Sequence, residues 1–127
     1  MQGKVLFEYA VIRIVPRVER EEFINVGVIL YCKERKFLQA VFTLDEEKLR
    51  VIGPGTDVQE VRDYLQAFEQ ICCGGAKSGP IGQLEVALRF RWLTATRSTI
   101  LQTSRVHTGF CSDPEFALQR LHAQLVL

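Results

Sequence analysis

Two long β-forming runs, Val5 to Val15 and Ile24 to Cys32, stand only eight residues apart and limit the fold more than any other feature. A connection that short joins antiparallel neighbours, because parallel pairing needs a crossover of a dozen residues or more. The first run is rich in β-branched and aromatic residues and apolar on both faces, the pattern of a strand covered on both sides. Arg13 intrudes on it and needs a partner. Pro16 ends the run, since proline lacks the donor a ladder requires. The second run alternates: Ile24, Val26, Val28, Leu30 and Cys32 are expected on one face, and Asn25, Gly27, Ile29 and Tyr31 on the other. After the charged turn Lys33 to Lys36, Phe37 to Leu44 reads as a third strand with Leu38, Ala40, Phe42 and Leu44 inward. These three runs make a meander.

Helical signals follow. Asp45 opens a short helix over Glu46 to Val51, with acids at the positive end of the macrodipole. Thr56 with Gln59 forms a capping-box signature ahead of a helix carrying Val58, Val61, Leu65, Phe68 and Cys72 at helical spacing. Gly74-Gly75 stops it, and Ala76 to Gly82 reads as a loop. Leu84 to Ala95 reads as a deeply packed helix with Leu84, Leu88 and Trp92 on one stripe and Val86, Phe90 and Leu93 nearby. Asp113-Pro114 caps a final helix with Phe116, Leu118, Leu121 and Leu125 inward. With a late strand in Arg97 to Val106, the layout is β-β-β-α-α-α-β-α. The expected fold is a single α+β domain over residues 1–127, with an antiparallel sheet of about four strands and helices mainly on one face.

The net charge of +1 argues neither for nor against a polyanionic partner, but its distribution is uneven. Between Glu85 and Asp113 there is no acid, while Arg89, Arg91, Arg97 and Arg105 all fall there. Arginine suits bidentate contacts to carboxylate or phosphate. Cys32, Cys72, Cys73 and Cys111 show neither a C-x-x-C spacing nor a secreted disulfide framework. With no signal peptide and no apolar run near ~18 residues, a soluble cytoplasmic location without membrane association is expected.

Two polar concentrations are the candidate sites. One holds Arg17, Arg20, Glu22, Asn25 and Gly27; the other holds Arg97, Ser98, Thr99, Gln102, Ser104 and His107. A glycine in mid-strand serves close approach, by another backbone or by a ligand beside Asn25. Gly27→Val is then expected to spare the fold and abolish binding. A strand of hydroxyls and amides is a poor core element, because each buried polar group needs a partner. A Ser-His nucleophile has no G-x-S-x-G elbow and no nearby acid. His107 and His122 are not at metal-ligand spacing, and no cofactor motif is present.

At these same two stretches the chain resembles a bacterial family catalogued as domain of unknown function 3037. The first signature falls on Val15-Pro16, Arg20-Glu21-Glu22 and Asn25-Val26-Gly27-Val28. The second falls on Arg89-Phe90-Arg91-Trp92-Leu93-Thr94-Ala95, Arg97-Ser98-Thr99, Gln102, Ser104 and His107-Thr108-Gly109. Glu21 stands where the family usually has glycine, and Thr96 where proline is common. The resemblance implies no reaction. Through the gene neighbourhoods such proteins occupy, it suggests a HipA-like kinase as partner.

The expected function is a non-enzymatic module that binds a partner protein through an arginine-rich polar surface, with an anionic ligand or nucleic acid as a further partner class. The alternative is a phosphate-handling or nucleic-acid-processing enzyme using Arg20, Glu22, Arg97 and His107, which would require these groups to converge in a pocket. Glu22 is expected to accept a charge-assisted hydrogen bond from Arg97, or from Arg20 as the local alternative. Val28→Asp is expected to unfold the domain, and Ile29→Asp to be milder unless helices cover both faces of the sheet.

Overall fold

A computed structural model of the chain describes residues 3–127. The strands are β1 (Val5–Ile14), β2 (Ile24–Cys32), β3 (Phe37–Phe42), β4 (Leu101–Thr103) and β5 (His107–Cys111). The helices are α1 (Glu46–Ile52), α2 (Val58–Cys73), the single turn α3 (Gly79–Gly82), α4 (Val86–Leu93) and α5 (Pro114–Leu125). All strand pairs are antiparallel, and the sheet runs β3-β2-β1-β4, with β5 also paired to β1. The α+β antiparallel architecture is therefore as expected, with five strands in place of about four.

The fifth strand arises because the late strand is broken. β5 pairs with the first half of β1 and β4 with its second half, along the same edge. Between the pairs Ile12↔Thr103 and Tyr9↔His107, β1 advances three residues and its partner four. One extra residue is therefore accommodated in Ser104-Arg105-Val106. Ser104 bridges the gap: its N–H donates to Val11 O at 2.8 Å, and its hydroxyl accepts from Val11 N–H at 2.9 Å. The side chain takes the place of a ladder carbonyl and leaves no buried donor unmet.

A second bulge lies between β1 and β2. Ile12 faces Gly27 but Arg13 faces Asn25, so Val26 is the extra residue. The extra residue reverses the side-chain alternation along β2. Val28, Leu30 and Cys32 face Ala117, Leu118 and Leu121 of α5, whereas Val26 and Ile24 join Ile29 and Tyr31 on the opposite face. Periodicity alone places Ile24, Val26, Val28, Leu30 and Cys32 on one face; the bulge separates them.

The helices lie mainly on one face, as expected, and α5 closes the other. Leu49 of α1, Val61, Leu65, Phe68 and Cys72 of α2, and Phe90 and Leu93 of α4 cover Ala10, Ile12, Ile14 and Ile29. Leu38, Ala40, Phe42 and Leu44 pack on that same side, as their alternation predicts. Asp45, Asp57 and Asp113 cap α1, α2 and α5 through their carboxylates. The cap of α2 is thus Asp57, one residue beyond Thr56, whose hydroxyl donates instead to Gly53 O at 2.6 Å. Three other expectations change. Ala76 to Gly82 contains the turn α3. Phe116 is exposed on α5, and α4 buries Phe90 and Leu93 while Leu84, Leu88 and Trp92 stay exposed.

Candidate functional site

The arginines of the acid-free window are not one open cationic surface. Arg89 donates to the carbonyls of Gly82 (3.4 Å) and Leu84 (3.2 Å), tying α3 to the start of α4. Arg91 pairs with Glu8 of β1 at 2.9 Å. Arg97 donates to the carbonyls of Trp92 and, at 3.4 Å, Leu93, and its guanidinium carbon lies 4.2 Å over the Trp92 ring. A cation at the carbonyl end of α4 is favourably placed against the macrodipole, and the indole face adds a cation–π contact.

Glu22 takes the local partner rather than Arg97. It accepts from Arg20 Nε at 2.5 Å, with side chains 58% and 48% exposed. That hydrogen bond raises the Arg20 pKa and lowers that of Glu22. So exposed a pair fixes the turn before β2 and little else. Arg17 is exposed next to it, at the entry to the 3-10 turn Val18–Arg20.

Asn25 Nδ2 donates to Leu125 O at 3.1 Å, anchoring β2 to the end of α5. Gly27 is a packing glycine. A Cβ there would fall 2.4 Å from Val41 O and 2.9 Å from the Phe42 ring, so β3 is what approaches it. Gly27→Val would therefore collide with neighbouring backbone and damage the fold, contrary to the expected selective loss of binding.

In the second stretch Thr99 donates to Leu101 O at 2.7 Å, and Gln102 Nε2 donates to Thr99 O at 2.8 Å. Ser98 is exposed, and no hydrogen bond of its hydroxyl is present among the described residues. His107, on β5, stacks beside Tyr9 with ring centroids 5.3 Å apart. Ser104 belongs to the ladder, and among the described residues no hydrogen bond joins it to His107. Arg20 and Glu22 bind each other, Arg97 binds the end of α4, and His107 lies along Tyr9; the four residues of the enzyme reading are not brought together. Among the described residues no group of three or more His, Cys, Asp or Glu is placed to hold a metal ion.

Two cavities do form around the second stretch, and sequence reasoning had named only part of each lining. The first is an apolar cleft of about 250 Å³ between α2, the end of α4 and residues 99–103. Tyr64, Ile71, Trp92 and Leu101 form its walls, with Arg97 and Gln102 among its polar residues. Tyr64 and Trp92 are each 41% exposed. The Tyr64 hydroxyl donates to Glu60 at 3.0 Å, which raises its pKa. The second cavity, about 270 Å³, is polar and joins the two sequence signatures through Arg13, Glu21, Phe23, Ser98 and Gln102. Trp92 could have been found from its i, i+4, i+8 stripe with Leu84 and Leu88. Arg13 could have been found as the lone cation in an apolar strand.

Among the described residues, no helix is long and apolar enough to cross a membrane. No curated protein and no solved structure matches the chain. The sequence profile of one family, described as a protein of unknown function (DUF3037), matches residues 9–126, nearly the whole chain, and the chain belongs to that family.

Proposed function

We propose that this protein is a binding module whose α2–α4–β4 cleft takes an apolar segment of a partner protein, flanked by acidic residues. The observation that carries the reading is the half-exposed pair Tyr64 and Trp92 at the mouth of the apolar cleft. Aromatic anchors around a desolvated pocket are what protein–protein hot spots are made of. The exposed stripe continues from Trp92 to Leu88 on α4, 49% exposed, and to Leu84 just before the helix. It gives the partner more apolar surface than a small cleft alone. Charge complementarity supplies the acidic flank: Arg97 lines the cleft beside Trp92, and among the described residues no carboxylate is ion-paired with it. A HipA-like kinase is the first candidate to supply such a segment.

The test uses the tagged full chain purified from its host, then reconstitution with the purified partner identified by mass spectrometry. Leu88→Asp with Trp92→Asp, both at exposed positions, should leave the domain folded with native far-UV circular dichroism and a cooperative melt, and abolish the complex. Arg20→Gln with Glu22→Gln should leave the complex intact. A partner that binds the cleft variant as tightly as the wild type defeats the proposal.

A further inference from the structure

The polar cavity beside β4 has a separate chemistry. Asn25, Arg13 and Gln102 are register partners on β2, β1 and β4, so three polar side chains form one row across the sheet. Arg13 is the cation at its centre. Phe23 covers it, with the guanidinium carbon 4.1 Å from the ring centroid. Among the described residues it has no carboxylate within salt-bridge distance and no hydrogen-bond partner, and its Nε is buried unpaired. Burial lowers its pKa, the direction expected for a guanidinium that has lost water without gaining a counter-charge. Its neighbour Asn25 has the complementary defect, a buried Oδ1 with no donor. Ser98 and Gln102 add a hydroxyl and an amide to the same lining.

We infer that this cavity is an oxyanion site, in which a small carboxylate- or phosphate-bearing ligand is held by Arg13 with Ser98 and Gln102. Its planar fork of donors matches either oxyanion in a bidentate contact. A cavity of about 270 Å³ admits an inorganic ion or a compact organic acid rather than a nucleotide. Glu21 also lines it, and its carboxylate opposes an incoming anion. Glu21 holds its place with a left-handed backbone, φ 58°, at the end of the 3-10 turn. This site stands independently of the apolar cleft: Gln102 borders both, but Arg13, Ser98 and Glu21 line this cavity and not the cleft, and the ligand is a small anion.

The experiment is an amide and arginine Nε–H nuclear magnetic resonance titration of the full chain. The probes are inorganic phosphate and acetate, with sodium chloride at matched ionic strength as control. Saturable shifts centred on Arg13, Ser98 and Gln102 are expected with at least one probe and not with chloride; which probe saturates first distinguishes a phosphate from a carboxylate ligand. Arg13→Gln should weaken binding by about tenfold or more, the loss expected when a charge-assisted bidentate contact is removed. Arg13→Lys should fall between, keeping the charge and losing the fork. Glu21→Gln should tighten binding severalfold. Should Arg13→Gln fail to fold, Ser98→Ala with Gln102→Ala supplies the decisive variant, and its binding must weaken. Shifts reproduced by chloride, no saturation with either probe, or equal affinity in the variants would overturn the assignment.

Discussion

Ser104→Ala removes one oxygen from the edge of the sheet, and its cost can be worked out from the ladder. In the native chain the hydroxyl accepts from Val11 N–H at 2.9 Å and donates to Arg105 O at 2.9 Å. Arg105 is exposed, so its carbonyl can turn to water; Val11 is 7% exposed and its N–H cannot. The variant therefore loses a bond and strands a buried donor, a cost of ~1–3 kcal/mol, centred near 2. An unfolding entropy of ~2.1 cal/mol/K per residue gives roughly 270 cal/mol/K for 127 residues, so ~2 kcal/mol lowers Tm by about 7 °C. Urea unfolding should show a lower midpoint at constant m. Hydrogen exchange adds a local readout: opening made easier by ~2 kcal/mol speeds Val11 amide exchange roughly 30-fold. Thr108→Ala, at an exposed position on β5, is the control and should change stability by no more than ~0.5 kcal/mol. A Ser104→Ala variant no less stable than that control, with Val11 still protected, would refute the ladder role.

Val28 and Ile29 are both 0% exposed, one under α5 and the other under the larger helical layer. Val28→Asp and Ile29→Asp should each unfold the chain by circular dichroism, since a buried unpaired carboxylate costs several kcal/mol of the ~5–15 available; a cooperative fold in either variant would contradict the cover on that face. His122 shares a 2.8 Å hydrogen bond with Thr43 Oγ1, and burial lowers its pKa below the ordinary 6.5. The neutral ring is favoured in the fold while the unfolded chain binds the proton more readily, so its contribution is complete above pH 6.5 and declines as pH falls through the lowered value. Stability measured against pH should lose that part of its slope in His122→Gln, and an unchanged slope would assign the acid sensitivity elsewhere.

How much of this fold the sequence makes legible differs from strand to strand. β3 is read correctly because its alternation runs unbroken: Leu38, Ala40 and Phe42 all meet the larger core. β2 carries an equally clean alternation, yet Val26 and Val28 end on opposite faces. A bulge inserts its residue through pairing with β1, and nothing in the β2 sequence records that pairing. The helix α4 poses a related problem. The Leu84-Leu88-Trp92 stripe, which starts before the helix, and the Phe90-Leu93 pair are both apolar at helical spacing in the sequence, so periodicity alone cannot choose the covered one. The choice belongs to α2 and the sheet, where Phe90 stacks with Tyr31 at 5.2 Å between centroids.

The candidate site shows why polarity in a strand is an ambiguous signal. Arg97, Thr99, Gln102 and Ser104 look like ligand-binding groups in sequence, and each is joined to backbone of its own neighbourhood or of the adjacent strand. An irregular edge leaves backbone groups that helices and ladders do not serve, and short polar side chains are suited to meet them. Polar residues in such a segment must first be counted against that local demand. Gln102 spends one amide hydrogen on Thr99 O and still lines the polar cavity. Ser98 has no such obligation among the described residues, and Arg13 lies in a strand whose own ladder is complete without its side chain. What remains after the backbone is satisfied is therefore one guanidinium, one hydroxyl and half an amide around a single cavity, and it is this remainder, rather than the density of polar residues, that marks where a ligand can be held.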